Sequence, residues 1–394
     1  MGIMTLKVNR RVKDIVGSTT LAITARAKEL KTQGHDVVNF AGGEPDFDTP
    51  ESIKAAGIKA IQSGFTKYTP SVGTIELRKA IAKKFKEDNH LSYEPSQIVV
   101  SCGAKHCLYD AIQVLADDGD EVIIPTPYWV SYPEMVKLSG AVPKFIPTSA
   151  KTQFKITPQQ LRDSITTKTR MLIMNSPSNP TGMVYHKREL EAIAEICVKH
   201  HIFVLSDEIY EKLIYEDEPY VSMASLGKDI FDLTITVNGV SKTYAMTGWR
   251  IGYCAGDQEI MDYIQKFQDH TTSNPTSISQ VAALAALQAS PDSIMKMREE
   301  FKKRRDLMMS LLDKVPEISY IKPNGAFYLF CDFSQFGNSE AVAKQILDEM
   351  KVAVIPGDGF GAPSFLRLSF STSMEQIEEG IKRIASWIKN YKRK

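Results

Sequence analysis

At 394 residues the chain exceeds the size at which one hydrophobic core stops growing, so two domains, or one large domain with a satellite, are expected. Its 43% hydrophobic content supports a packed globule. Against 48 basic residues stand 47 acidic ones, and the formal charge of +1 excludes a long-range field drawing the chain to nucleic acid or an anionic membrane.

Short apolar runs alternate along the chain with helical patterns. In order they are Ile98-Val99-Val100, Val122-Ile123-Ile124, Met171-Leu172-Ile173-Met174, Ile202-Phe203-Val204-Leu205 and Leu233 to Val237. Each is continuous, as a strand covered on both faces should be, and together they predict an α/β fold with a mostly parallel sheet covered by helices. The helix predicted after the first run places Leu108, Ala111, Ile112 and Leu115 on one face at i, i+3, i+4, i+7 spacing. Toward the C-terminus Ala326 to Phe330 reads as a β segment, and Phe365 to Phe370 alternates, which predicts a smaller α+β domain. The expected division is a large domain over 46–290 and a small domain over 291–394, joined by an N-terminal segment over 1–45. The sequence shows no internal repeat, low-complexity tract or linker.

Five cysteines, Cys102, Cys107, Cys197, Cys254 and Cys331, are odd in number and mostly set among apolar residues, which reads as reduced, packed thiols. Cys102 and Cys107 are five apart with only His106 between them, a poor metal pair, and no metal is expected. The sequence opens without an apolar signal region and contains no apolar stretch of spanning length. Leu6 stands where a myristoylation signal at Gly2 requires Ser or Thr. The basic stretch Lys389 to Lys394 reads as a solvated helix end. A cytoplasmic protein is expected.

Open α/β sheets bind ligands at the carboxyl ends of their strands. Polar residues follow the apolar runs there: Pro127-Tyr128-Trp129, then Asn175 to Gly182, then Ser206-Asp207-Glu208-Ile209-Tyr210. Beyond Val237 comes Ser241-Lys242, with Arg250 eight residues after the lysine. A guanidinium and a hydroxyl around one amine can clamp a phosphate, and an amine beside a phosphate suggests pyridoxal phosphate. An exposed surface lysine and a Ser-Lys hydrolytic dyad are the alternatives for this segment. A carboxylate about 3 Å from a pyridinium nitrogen gains roughly 5 kcal/mol at an effective dielectric near 20, so Asp207 can keep such a ring protonated. It can equally serve as a helix N-cap. Asn179 and Tyr210 can donate to a phenolic oxygen, although Asn-Pro-Thr-Gly is also good turn chemistry. The small residues of Ser101-Cys102-Gly103-Ala104-Lys105 either expose backbone N–H groups to a phosphate at a helix start or simply make the turn. Trp129 reads as a stacking platform or as core. Arg367 sits on the other face from Leu366 and Leu368, to grip a carboxylate or to face solvent.

Taken together these motifs resemble the fold type I pyridoxal-phosphate aminotransferases of class I, in the bacterial-type aspartate or aspartate/prephenate branch. The likeness spans nearly the whole chain. It is carried by Gly43-Glu44-Pro45-Asp46-Phe47, Lys67-Tyr68, Pro127-Tyr128-Trp129, Asn179-Pro180-Thr181-Gly182, Ser206 to Tyr210, Ser241-Lys242, Gly248-Trp249-Arg250-Ile251-Gly252 and the Arg367 strand. The resemblance implies that Lys242 carries the cofactor as a Schiff base, that Asp207 pairs with the ring nitrogen, and that Tyr210 and Asn179 hold the ring oxygen. Ser241, Arg250, Gly103, Ala104 and Lys105 would bind around the phosphate, with Trp129 against the ring. Tyr68 would reach the phosphate of a neighbouring subunit, which implies a homodimer with shared sites. Arg367 would bind the substrate α-carboxylate, with Gly43, Asn179 and Trp129 nearby.

By the same resemblance Lys105 and Thr20 would recognise an acidic side chain. Aspartate or glutamate with 2-oxoglutarate or oxaloacetate is therefore the expected substrate set, turned over by ping-pong transamination. Branch members that use prephenate often carry a basic residue where this chain has Val16. An aromatic-amino-acid, kynurenine or prephenate aminotransferase, and a carbon-sulfur lyase of the same fold, remain alternatives. A pyridoxal-binding regulator would need a helix-turn-helix region, and a dehydrogenase would need a Gly-x-Gly-x-x-Gly turn after an early strand; the sequence presents neither.

Overall fold

The structure is a computed structural model that describes residues 8–17, 19–216 and 219–391. The stretch Gly2 to Leu6 and the last three residues of the basic tail lie outside the described residues. In chain order the strands are β1 (Val38–Asn39), β2 (Ile98–Ser101), β3 (Glu121–Thr126), β4 (Val142–Pro147), β5 (Thr169–Asn175), β6 (Phe203–Asp207), β7 (Thr234–Gly239) and β8 (Gly252–Ala255). They continue as β9 (Ser319–Tyr320), β10 (Tyr328–Asp332), β11 (Val352–Ala353), β12 (Ile355–Pro356) and β13 (Phe365–Ser369).

Seven strands form one sheet in the order β2-β8-β7-β6-β5-β3-β4. The continuous apolar runs are explained by two helical layers. Val122 and Ile124 of β3 and Ile173 of β5 face a core shared with Leu108, Ala111, Ile112 and Leu115, as the helical spacing predicted. Their neighbours Ile123, Leu172 and Met174 face the opposite core, beside Leu190, Ile193 and Cys197 of the helix Lys187–Lys199. Side chains alternate across a strand, so a strand covered twice needs apolar residues at every position.

Two strands of this sheet were not evident from the sequence. β4 is an exposed edge containing Pro143 and Pro147, and it gives no continuous apolar signal. β8 runs antiparallel to both β2 and β7, which makes the sheet mixed. Its composition, Gly-Tyr-Cys-Ala, is too short and small to read as a buried strand.

The antiparallel turn has a functional consequence. β5, β6 and β7 run level, with Asn175 opposite Asp207 and Asp207 opposite Val237. Gly252, which starts β8, lies opposite both Ser101 and Gly239 at the carboxyl ends of β2 and β7. Residues just after β7 and just before β8 therefore share one rim.

The other main sheet is antiparallel, β12-β13-β10-β9, and its core is shared with the helices Asp292–Leu312 and Met374–Tyr391 through Phe301, Ile381 and Trp387. β1 pairs in parallel with β11, Val38 opposite Val352, and Phe40 C=O accepts from Ser369 N–H at 2.8 Å. The segment leading to Gly43 is thus tied to the Arg367 strand. The described cysteines carry free thiols, all buried except the half-buried Cys102. Among the described residues no helix is long and apolar enough to cross a membrane.

One core acid is not compensated. Asp110, on the helix Ala104–Leu115, is fully buried, and neither carboxyl oxygen has a hydrogen-bond partner among the described residues, although His106 Nε2 lies 3.2 Å from Oδ1. Burial pushes its pKa from 3.8 up to about 8. The folded chain then holds a proton that the unfolded chain releases, so this group's contribution is complete below about pH 4 and is lost as pH rises through about 8. Asp110→Asn is expected to remove that slope, roughly 1.4 kcal/mol per pH unit between these limits. Urea melts at pH 5 and pH 8 check this: the variant should gain on the wild type as pH rises, and parallel curves would refute the assignment.

Candidate active site

A cavity of about 520 Å³ opens at the shared rim, lined by Lys242, Asp207, Tyr210, Asn179, Arg367, Arg250, Ser241, Ala104, Lys105, Trp129, Gly43 and Thr20, with Tyr132, Tyr328 and Glu44 among the others. The residues singled out from the sequence converge here with two exceptions. Gly103 lies one residue behind the wall, as the N-cap of the helix that begins at Ala104. Tyr68 is 93% exposed and stands away from the cavity within this chain.

Asp207 ends β6 and is buried, which pushes its carboxyl pKa from 3.8 up to about 6. Three contacts oppose that rise: the Tyr132 hydroxyl donating to Oδ2 at 2.7 Å, the Ile209 N–H at 3.3 Å from Oδ1, and the charge of Lys242. The helix N-cap alternative does not hold, because a turn and no helix follows Asp207; the Ile209 N–H is a contact within that turn while the carboxylate faces the cavity.

Lys242 stands three residues beyond the end of β7, and its Nζ donates to Gly43 C=O at 2.5 Å. Burial is the main cause lowering its pKa from 10.5 to about 8; the cations of Arg367 and Arg250 act the same way, while Glu44 and Asp207 oppose them. Burial and the lowered pKa exclude an ordinary surface lysine.

Arg250 precedes β8 in a left-handed conformation, φ 57°, and its guanidinium donates to Thr247 C=O at 2.8 Å and Cys102 C=O at 3.2 Å. Gly103 has φ 92°, and a Cβ there would come within 2.4 Å of Arg250 Nη2. Gly252 is as constrained, because a Cβ would come within 2.1 Å of Ala104 N. Glycine at both positions lets the helix start and the guanidinium converge. Gly103 supplies no side-chain cap to that helix start. Uncapped N–H groups, the Ser241 hydroxyl and a guanidinium form a donor set suited to a phosphate.

Arg367 is 2% exposed, so the solvent-facing alternative does not hold. Nη1 donates to Asn179 Oδ1 at 2.9 Å and Nη2 to Ala41 C=O at 3.1 Å, and the Tyr328 ring lies 4.3 Å from the guanidinium carbon. Its Nε has no partner among the described residues. A buried donor without an acceptor is what a carboxylate ligand would satisfy. Tyr210 and Tyr328 share a hydroxyl hydrogen bond of 2.9 Å. Lys105 projects over the Trp129 ring, 4.8 Å from its centre, and burial followed by the Arg250 charge lowers its pKa. The Thr20 hydroxyl is buried and without a partner among the described residues.

Tyr132 and Tyr328 were not found from the sequence. Tyr132 lies three residues after Trp129, a helical spacing, and Tyr328 interrupts an apolar strand with a hydroxyl. A buried tyrosine needs a partner for its O–H, and that was the available signal.

An amine facing a buried carboxylate, with an anion cradle on the same rim of an α/β sheet, defines a pyridoxal 5'-phosphate enzyme. The chain belongs to the class I and II aminotransferase family, which matches residues 35–384. It is 48% identical over 392 residues to the aspartate aminotransferase of Bacillus subtilis, covering 98% of this chain and 100% of that protein. It is 43% identical over 394 residues to the aspartate/prephenate aminotransferase of Nitrosomonas europaea, covering 97% and 99%. The solved structure of Thermus thermophilus aspartate aminotransferase with maleate superposes with a TM-score of 0.94 at 41% identity, over 97% of this chain and 100% of that one.

The depressed lysine is directly measurable. In apoprotein, Lys242 should react with trinitrobenzenesulfonate with a midpoint near pH 8, because only the neutral amine is nucleophilic. Peptide mapping against pH reads this, and a midpoint above 10, as for surface lysines, would refute the burial argument.

Proposed function

We propose that this aminotransferase exchanges the amino group between aspartate, or glutamate, and a 2-oxo acid such as 2-oxoglutarate or oxaloacetate. The observation that carries this reading is the pair of cations Arg367 and Lys105 on one cavity wall system, beyond Arg250 at the phosphate cradle. Arg367 suits an α-carboxylate and Lys105, with the unpartnered Thr20 hydroxyl, suits a second carboxylate on the side chain. The names of the relatives support the same choice.

Bound pyridoxal 5'-phosphate supplies an electrophilic carbonyl carbon and a ring that withdraws electrons from the carbon bearing the substrate amine. Ser241, Arg250 and the N–H groups at Ala104 and Lys105 would hold its phosphate, Asp207 its ring nitrogen, Tyr210 and Asn179 its ring oxygen, and Trp129 its face. Arg367 would fix the substrate α-carboxylate, with Gly43 offering backbone contacts. Lys242 Nζ would take the proton from the substrate α-carbon and return it as general acid, a task suited to an amine whose pKa is about 8. Two half-reactions through one site give ping-pong kinetics.

A homodimer completes the proposal. Tyr68 is exposed, as are Ile58, Ile61, Phe65 and Ile75 within the same stretch of sequence, apolar side chains that a second copy would cover. There Tyr68 would reach the partner's phosphate. Val16 is 65% exposed and brings no charge, which favours aspartate over prephenate.

Purified protein should be yellow, bleach with aspartate and recover with 2-oxoglutarate; a donor panel including prephenate as acceptor, aromatic amino acids and cystathionine reads specificity by that spectral change. Pyruvate and ammonia from cystathionine would instead identify a lyase. Lys242→Ala should lower kcat by roughly 10²–10⁴-fold, the range for general acid–base groups, and normal turnover would overturn its role. Light scattering should give twice the 44.0 kDa chain mass, and Tyr68→Phe should weaken cofactor retention; a monomer with full activity would exclude the shared site.

A further inference from the structure

Asp207 and the ring nitrogen it is proposed to face share one proton, and the proton resides on whichever partner has the greater affinity for it. The chemistry needs it on the nitrogen, because a neutral ring withdraws electrons poorly. Burial works against this by raising the affinity of the carboxylate for a proton. The carboxylate therefore needs donors that do not titrate.

Tyr132 meets that need. It lies on the first turn of the helix Ser131–Ser139, is 2% exposed, and packs edge-to-face on Trp129 with ring centres 5.4 Å apart. Its hydroxyl is 2.7 Å from Asp207 Oδ2, the shorter of the two donors to that carboxylate, the other being the Ile209 N–H at 3.3 Å. The other titratable groups that influence Asp207 or Tyr132 are Lys242 beyond β7, Tyr210 after β6, and Tyr220. Lys242 would gain and lose its proton during the proposed reaction and so holds no fixed charge, and the Tyr210 hydroxyl is engaged with Tyr328. The Tyr220 hydroxyl donates to Ser176 C=O at 3.2 Å. Tyr132 keeps its own proton throughout the working range, since burial and the Asp207 charge both raise its pKa far above 10.

We propose that Tyr132 is a positioning residue for transamination, whose hydroxyl, donating to Asp207 Oδ2, keeps the proton shared by Asp207 and the cofactor on the ring nitrogen. This rests on the assignment of Asp207 to that nitrogen. The bond is charge-assisted and buried, the setting in which a hydrogen bond shifts proton affinity most.

Tyr132→Phe tests it cleanly, because the ring that packs on Trp129 is retained and only the O–H is removed. Holoenzyme is prepared with pyridoxal phosphate labelled with ¹⁵N in the ring, and the nitrogen shift is recorded from pH 6 to pH 9 for wild type, Tyr132→Phe and Asp207→Asn. The expected result is a shift near that of a protonated ring in wild type, a displacement toward the neutral ring in Tyr132→Phe, and a larger one in Asp207→Asn. A Tyr132→Phe shift identical to wild type, with Asp207→Asn displaced, would overturn the proposal alone. An unaltered shift in Asp207→Asn would overturn the assignment beneath it. Should the phenylalanine variant retain too little cofactor, infrared difference titration of the apoproteins against Asp207→Asn decides the matter. The Asp207 midpoint should rise by about one pH unit, a tenfold change in proton affinity. An unmoved midpoint overturns the proposal.

Discussion

The site depends on ionisable groups held where water hydrates them poorly. Asp207, Lys242 and Arg367 are each displaced from their ordinary proton affinity chiefly by burial; Asp207 and Lys242 moderate one another, Arg367 adds to the lowering at Lys242, and Tyr328 and Tyr210 moderate that of Arg367. In such a setting a fixed charge or dipole acts more strongly than in bulk water. Arg367 shows the consequence. It is buried with two oxygens in contact and one N–H unsatisfied, so part of its desolvation has already been incurred on folding. In the proposed role, an incoming carboxylate would gain a guanidinium that needs no further stripping of water and little reorganisation. Lys242 would put the same dryness to the opposite use, since losing its charge is what its proposed role as a base requires.

Much of this was legible because catalysis and folding use the same punctuation. Strands buried on both faces announce themselves as unbroken apolar runs, and the residues immediately after them fall at the ligand-binding rim. Asp207 follows Val204-Leu205-Ser206, and Lys242 follows the run ending at Val237, so both could be placed before any coordinate was known. The pairing of β5, β6 and β7 then sets their ends level. β8 escaped notice because four small or mixed residues carry no period, yet its reversed direction is what returns Arg250 to that rim. Tyr132 and Tyr328 escaped for another reason. A tyrosine among apolar residues looks like core, and its ring does pack as core; only the position of the hydroxyl, fixed by the tertiary fold, gives it a polar task. Tyr68 was singled out only through family resemblance, and it is 93% exposed and away from the cavity in one chain.

Tight backbone geometry accompanies the assembly of the proposed phosphate cradle. Arg250 in a left-handed conformation, Gly103 at φ 92° and the close approach of Gly252 to Ala104 are conformations or contacts that ordinary residues avoid. They occur together because three chain directions must meet: the end of β2, the start of the helix at Ala104, and the start of β8. The ladder of β2, β8 and β7, paired from Ser101 to Ile98 on one side and from Gly239 to Thr236 on the other, determines where these directions cross. Cooperative pairing on both sides of β8 leaves the crossing no freedom to relax, so the strain persists in the native state. The same rigidity fixes the guanidinium before any anion arrives. A looser crossing would lengthen the search for the binding geometry at the proposed phosphate site.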